Sequence, residues 1–131
     1  MAMTAAELVL PIELKYTDEH IWVRVEGEEL VVGVSDYAQD QLGEVVYVDL
    51  PSEGDSFDAA SEFGEVESIK SVNKLFMPVA GEVIAVNGVL EDTPTLINAS
   101  CYEKGWIIRV KPEDMTAVDA LMTADAYRAS L

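Results

Sequence analysis

The stretch Phe63 to Val83, FGEVESIKSVNKLFMPVAGEV, decides how this chain reads. Phe63 to Ile69 is a strand-like run, and Leu75 to Val79 is another that leads through Ala80-Gly81 into a further run from Glu82. Val66, Ser68, Lys70 and Val72 share one parity, so on an unbroken strand Lys70 points with its neighbours. Asn73-Lys74 is a place to turn, without the Asn-Gly or Asp-Gly pair that pins a hairpin. Pattern alone yields two short strands with a lysine at or near the bend. A lone exposed lysine is ordinarily solvent decoration.

Working outward, the chain is β-rich. Leu14 to Tyr16 and Ile21 to Val25 read as strands around the acidic turn Asp18-Glu19, and Leu30 to Val34 as a buried strand after the turn at residues 26–29. Ser35 offers an N-cap to a short helix from Asp36 to Leu42, with Gly43 as its stop. Glu44 to Leu50 is a strand ended by Pro51. Gly43-Glu44-Val45-Val46-Tyr47-Val48 returns faintly as Gly81-Glu82-Val83-Ile84-Ala85-Val86, a repeat that suits a small two-fold sandwich. Asn87 to Asn98 is loop-rich and Trp106 to Val110 a last strand. Pro112 opens a helical region in which Met115, Val118, Leu121 and Met122 share an apolar face, and Thr123 caps a final turn through Tyr127.

At 131 residues, half of them apolar, the chain suits one domain with an ample core. No run of about 18 apolar residues marks a membrane span. Met1 to Leu10 lacks a basic start and contains Glu7, which is not a secretory signal pattern; residues 1–13 read as a loose segment. With one cysteine, Cys101, and one histidine, His20, neither a disulfide framework nor a metal-ligand pair is expected, and a reducing cytoplasm fits. The net charge of −17, from 25 acidic and 8 basic residues, argues against nucleic acid and anionic membranes. It serves solubility, and it also steers the chain toward basic faces on partners.

Glu67-Ser68-Ile69-Lys70 with Pro78-Val79-Ala80-Gly81-Glu82-Val83 resembles the lipoyl-attachment segment of the glycine cleavage system H proteins. The similarity runs collinearly from Leu14 to Tyr127. It includes Lys15-Tyr16-Thr17, His20, Trp22, residues 34–40, residues 42–46, Leu50-Pro51, Val86-Asn87, residues 90–92, Pro94, Asn98, Tyr102 and Gly105-Trp106. The resemblance implies a mainly β barrel-sandwich hybrid of the lipoyl- and biotinyl-carrier type over residues 14–131, with a short internal helix and a C-terminal helix. It implies lipoic acid in amide linkage on Lys70, with Glu67 and Ser68 as the context read by a lipoate ligase or lipoyl transferase. The implied role is carriage of an aminomethyl group from the glycine decarboxylase P-protein to the aminomethyltransferase T-protein, with electrons passing to dihydrolipoamide dehydrogenase. Such a chain is a carrier and not an enzyme.

Set beside that family, His20, Ile21 and Lys74 become candidates for contact with the arm. The family's usual His-Glu-Trp is here His20-Ile21-Trp22, and Lys74 stands where an acidic residue is common. Cys101 stands where proline is common and reads as a quiet apolar filler. Other readings are a divergent H-like carrier for sulfur oxidation with a heterodisulfide-reductase-like complex, a lipoyl relay donor, a biotin carrier and an unmodified interaction module. Ile69 and Ser71 lack the methionines that usually flank a biotinyl lysine.

Overall fold

The three apolar residues Ile21, Trp22 and Val23 are each at most 1% exposed, so the half of the strand that carries them is covered on both faces. The computed structural model, which describes residues 7–131, shows how. Strands β1 (Lys15–Tyr16), β2 (Ile21–Glu26) and β3 (Glu29–Val34) form an antiparallel meander. Helix α1 (Asp36–Leu42) follows, with the Ser35 hydroxyl accepting from the Ala38 amide at its start. Strands β4 (Val45–Asp49), β5 (Ser56–Phe57), β6 (Glu62–Ser68), β7 (Val72–Phe76) and β8 (Gly81–Val86) come next. Then come the single turns α2 (Val89–Asp92) and α3 (Leu96–Ala99), strand β9 (Ile108–Pro112), a 3₁₀ segment (Met115–Ala120) and helix α4 (Ala124–Ser130).

One sheet has the order β1-β2-β3-β9-β8-β5 and the other β4-β6-β7. This is the barrel-sandwich arrangement expected. Ile21, Val23, Leu30 and Val32 meet Val45, Val48, Phe63, Val66 and Leu75 in the main core. The alternate residues Tyr16, Trp22 and Val31 face the other way, into a second cluster closed by Leu8, Leu10, Leu14, Ala124 and Tyr127. Trp22 lies so close over Gly33 that an added Cβ there would come within 2.7 Å of the indole. The two halves of the faint repeat fall in opposite sheets, as β4 and β8.

Several expectations are corrected. The turn is not at Asn73-Lys74, which lie within β7; the Ser68 amide bonds the Ser71 carbonyl at 2.8 Å, placing Ile69 and Lys70 at the tip. Pro112 ends β9 opposite Gly81 rather than opening a helix. The C-terminal region is a 3₁₀ segment, a bridge from Met122 to Tyr16, and then α4 with its Thr123 cap. Residues 8–13 are not loose: Leu8 and Leu10 are buried, and the Val9 amide bonds the Asp36 carboxylate at 2.8 Å. The rest of that expectation, for residues 1–6, lies outside the described residues.

Candidate functional site

The Lys70 tip is built by one serine. Ser68 is 6% exposed, and its hydroxyl accepts from the amides of Lys70 at 3.2 Å and Ser71 at 3.1 Å. Such a local side-chain-to-backbone turn reverses the chain without Gly or Asn, which is why no hairpin dipeptide announces it. Ser68 is therefore buried and engaged as a structural part of the turn, while Glu67 is exposed on the sheet's outer face.

The tip is also braced from the side. The Ile69 amide donates to the Glu44 carbonyl at 3.2 Å. The flanking residues of Glu44 are held by Asn98, whose side chain donates to the Gly43 carbonyl at 2.7 Å and accepts from the Val45 amide at 2.9 Å. Gly43 has φ 73° and ψ −155°, a backbone region open essentially to glycine alone. A Cβ added there would stand 3.0 Å from the Lys70 Cε. Gly43 thus serves the helix end, and its missing side chain leaves room for the lysine stem. Asn98 and this duty of Gly43 were not legible from spacing, because both depend on chain segments that meet only in the fold.

From Ser71 a groove of about 580 Å³ runs along β7, with α1 and the β1–β2 turn as its other wall. Val34, Leu42, Val66 and Leu75 line its floor, while Glu19, His20, Tyr37 and Gln41 face Asn73 and Lys74 across it. The lining is apolar with a few polar groups, as suits a flexible alkyl chain with a functional end. His20, at φ 67°, packs on Tyr37 with ring centroids 4.6 Å apart, and its Nδ1 lies 2.7 Å from the Tyr127 hydroxyl. That hydroxyl lies 2.7 Å from the Ser35 Oγ, so one polar chain links α4, the groove wall and the cap of α1. Burial lowers the His20 pKa from its ordinary value, against the opposing pull of Glu19 and Asp18. Burial likewise pushes the Tyr127 phenol up to about 12, so it remains a neutral hydroxyl.

The other candidates separate. Ile21 does not line the groove; it is 1% exposed in the main core, because β2 alternation sends it between the sheets. The carboxylate on that wall is Glu19 instead. Lys74 is at the rim, its ammonium 3.6 Å from Glu62 in an exposed pair worth little to stability. Cys101 is buried away from the groove beside Val9 and Tyr102, and desolvation pushes its thiol up to about 12, which makes it unreactive. Among the described residues no cluster of three or more His, Cys, Asp or Glu could hold a metal ion, and no helix is long and apolar enough to cross a membrane.

Residues 14–131 match the family described as Glycine cleavage H-protein. A glycine cleavage system H protein of Halalkalibacterium halodurans is 50% identical over 119 residues, covering 91% of this chain and 93% of that one. One of Geobacillus kaustophilus is 49% identical over 121 residues, covering 92% and 95%. The crystal structure of a glycine cleavage system H protein from Mycobacterium marinum superposes with a TM-score of 0.84 at 35% identity, covering 92% of this chain and 97% of that one.

Proposed function

The chain belongs to the glycine cleavage H-protein family, and from that premise we propose that it is a carrier, not an enzyme, bearing lipoic acid in amide linkage on Lys70. The observation that carries the reading is Lys70 on an exposed, braced tip whose next residue begins the groove. When bound, lipoate supplies a dithiolane whose sulfurs open and reclose by thiol–disulfide exchange. The chain contributes position. The Ser68 turn and the Asn98 clasp hold the lysine outward, where a lipoate ligase or lipoyl transferase can engulf it. The groove would shelter the arm between visits, and His20 and Tyr37 are the ring side chains on the wall against which its stem would lie.

Glu19 places a carboxylate where a cationic passenger gains about 1.5–3 kcal/mol from a charge-assisted hydrogen bond. It takes the role that Ile21, turned into the core, does not fill. The successive partners are the glycine decarboxylase P-protein, the aminomethyltransferase T-protein and dihydrolipoamide dehydrogenase, all in the cytoplasm. The charge of −17 draws basic docking faces to the carrier.

The test is incubation with a lipoate ligase, lipoate and ATP, followed by intact mass and peptide mapping. A single lipoyl adduct on Lys70 is expected. Lys70→Arg is expected to remain unmodified with an unchanged melting temperature, since an exposed tip side chain adds little to stability. An adduct on Lys74 in place of Lys70, or none, overturns the assignment.

A further inference from the structure

Four of the eight large apolar side chains left exposed among the described residues gather at one place: Val46, Tyr47, Ile69 and Val72. Exposed apolar residues scattered singly need no explanation, whereas a contiguous set beside a reactive group does. Register shows how they come together. Val45 faces Ser68 and Tyr47 faces Glu67, with the extra residue Val46 bulged between them; Glu67 in turn faces Val72. The bulge turns Val46 and Tyr47 outward together, at 44% and 56% exposure, while Val45 and Val48 stay buried at 0% and 2%. The row Val46–Tyr47, Glu67, Val72 therefore crosses the outer face of the three-stranded sheet just behind the tip, with Ile69 at 71% exposure beyond it and Val72, on the edge strand, also bordering the groove. A regular strand would have presented one apolar side chain here, not two.

The rim is acidic. Glu44, just before β4, and Asp49, at its end, are exposed, and Glu67 stands within the row. Lys74, the cation on this sheet, is drawn toward Glu62. An apolar centre carrying a tyrosine inside a charged rim has the anatomy of a docking face. Charge complementarity selects a partner whose own face is apolar and ringed by Lys or Arg.

We propose that this face, centred on Tyr47 and Val72, is the docking surface for the enzyme that acylates Lys70. The proposal rests on the carrier reading above. An enzyme that takes the Lys70 amine into its active site must cover the tip, and this surface is what lies directly behind it. Docking there lets the exposed Glu67 carboxylate meet a basic residue while the apolar row excludes water around it. The face adds binding without touching the reacting amine, so its loss weakens enzyme–carrier association and leaves turnover of the bound carrier intact.

The experiment measures initial rates of lipoylation by a lipoate ligase against carrier concentration, for wild type, Tyr47→Ser, Val72→Thr, the double variant, Tyr47→Phe and the distant control Val25→Thr, with thermal melts of each. The expected result is a KM about tenfold higher for Tyr47→Ser, corresponding to about 1.4 kcal/mol, and higher still for the double variant. kcat and melting temperature are expected to hold, Tyr47→Phe to retain the wild-type KM, and Val25→Thr to do nothing. A wild-type KM in the double variant overturns the docking face while an adduct on Lys70 leaves the carrier reading intact. A fall in kcat at constant KM, or a Tyr47→Phe variant as poor as Tyr47→Ser, overturns it equally. Absence of any wild-type adduct on Lys70 overturns the carrier reading and this face with it.

Discussion

At the β1–β3 end of the six-stranded sheet, the outer face carries Tyr16, Trp22 and Val31, none more than 1% exposed, beneath the N-terminal segment and α4. The outer face of the three-stranded sheet carries Val46, Tyr47 and Val72 at 44%, 56% and 54%. Both sheets bury their inner faces in the same core, so the difference lies entirely in what the flanking chain covers. The first face contributes stability through burial. The second is left open next to Lys70, where coverage would block access. A small carrier can afford an uncovered sheet face only because the rest of the molecule buries both faces of β3 and of the first half of β2.

Trp22→Ala breaks the comparison hardest. Removing a fully buried indole costs about 3–5 kcal/mol, and here it also strips the Cys101 carbonyl of its 2.9 Å donor. A fall in melting temperature on the order of 10–25 °C is expected by calorimetry. A loss no larger than that of an exposed-face variant would show that the covered face is not where stability resides.

Gly43→Ala tests the seam between the two regions. Its backbone geometry costs alanine roughly 1–3 kcal/mol, and the new Cβ meets the Lys70 stem at 3.0 Å. Denaturant midpoints should shift accordingly, and lipoylation should slow beyond what an equally destabilised Trp22 variant shows in its folded fraction. Equal slowing would remove Gly43 from lysine presentation.

The smallest effect is one of pH. Burial holds the folded-state His20 pKa below the unfolded value of about 6.5. Below pH 6.5 the unfolded chain therefore binds more protons than the folded one. Stability is full above that pH, falls as pH drops toward the lower folded value, and levels off beneath it. His20→Asn, which tolerates the positive φ, should flatten this segment of the pH–stability profile, and NMR titration of the imidazole reads the folded value directly. A folded value above 6.5 would sink the argument.

Much of this was written locally. Ser35, Asp36 and Gly43 announce α1, and the structure begins and ends that helix at the residues expected, because caps act within four positions. The apolar strands and the lysine at or near a bend follow from alternation over short windows, and the collinear resemblance supplied the family. What spacing misread was the bend itself: a buried Ser68 hydroxyl, not Asn73-Lys74, turns the chain, and a serine does not declare whether it will be buried.

Only the tertiary structure could decide the rest. Ile21 and Glu19 are two residues apart, the spacing that would share a face on a regular strand, yet one enters the core and the other lines the groove, because Glu19 lies in the turn before β2 and the positive φ of His20 breaks the alternation between them. Asn98 reaches Gly43 and Val45 across more than fifty positions, and Tyr127 reaches His20 across 107. Contacts at such separations leave no periodic trace in the sequence. They arise because close packing brings whatever side chains the topology has made neighbours into hydrogen-bonding distance, and burial then requires that their polar atoms be satisfied.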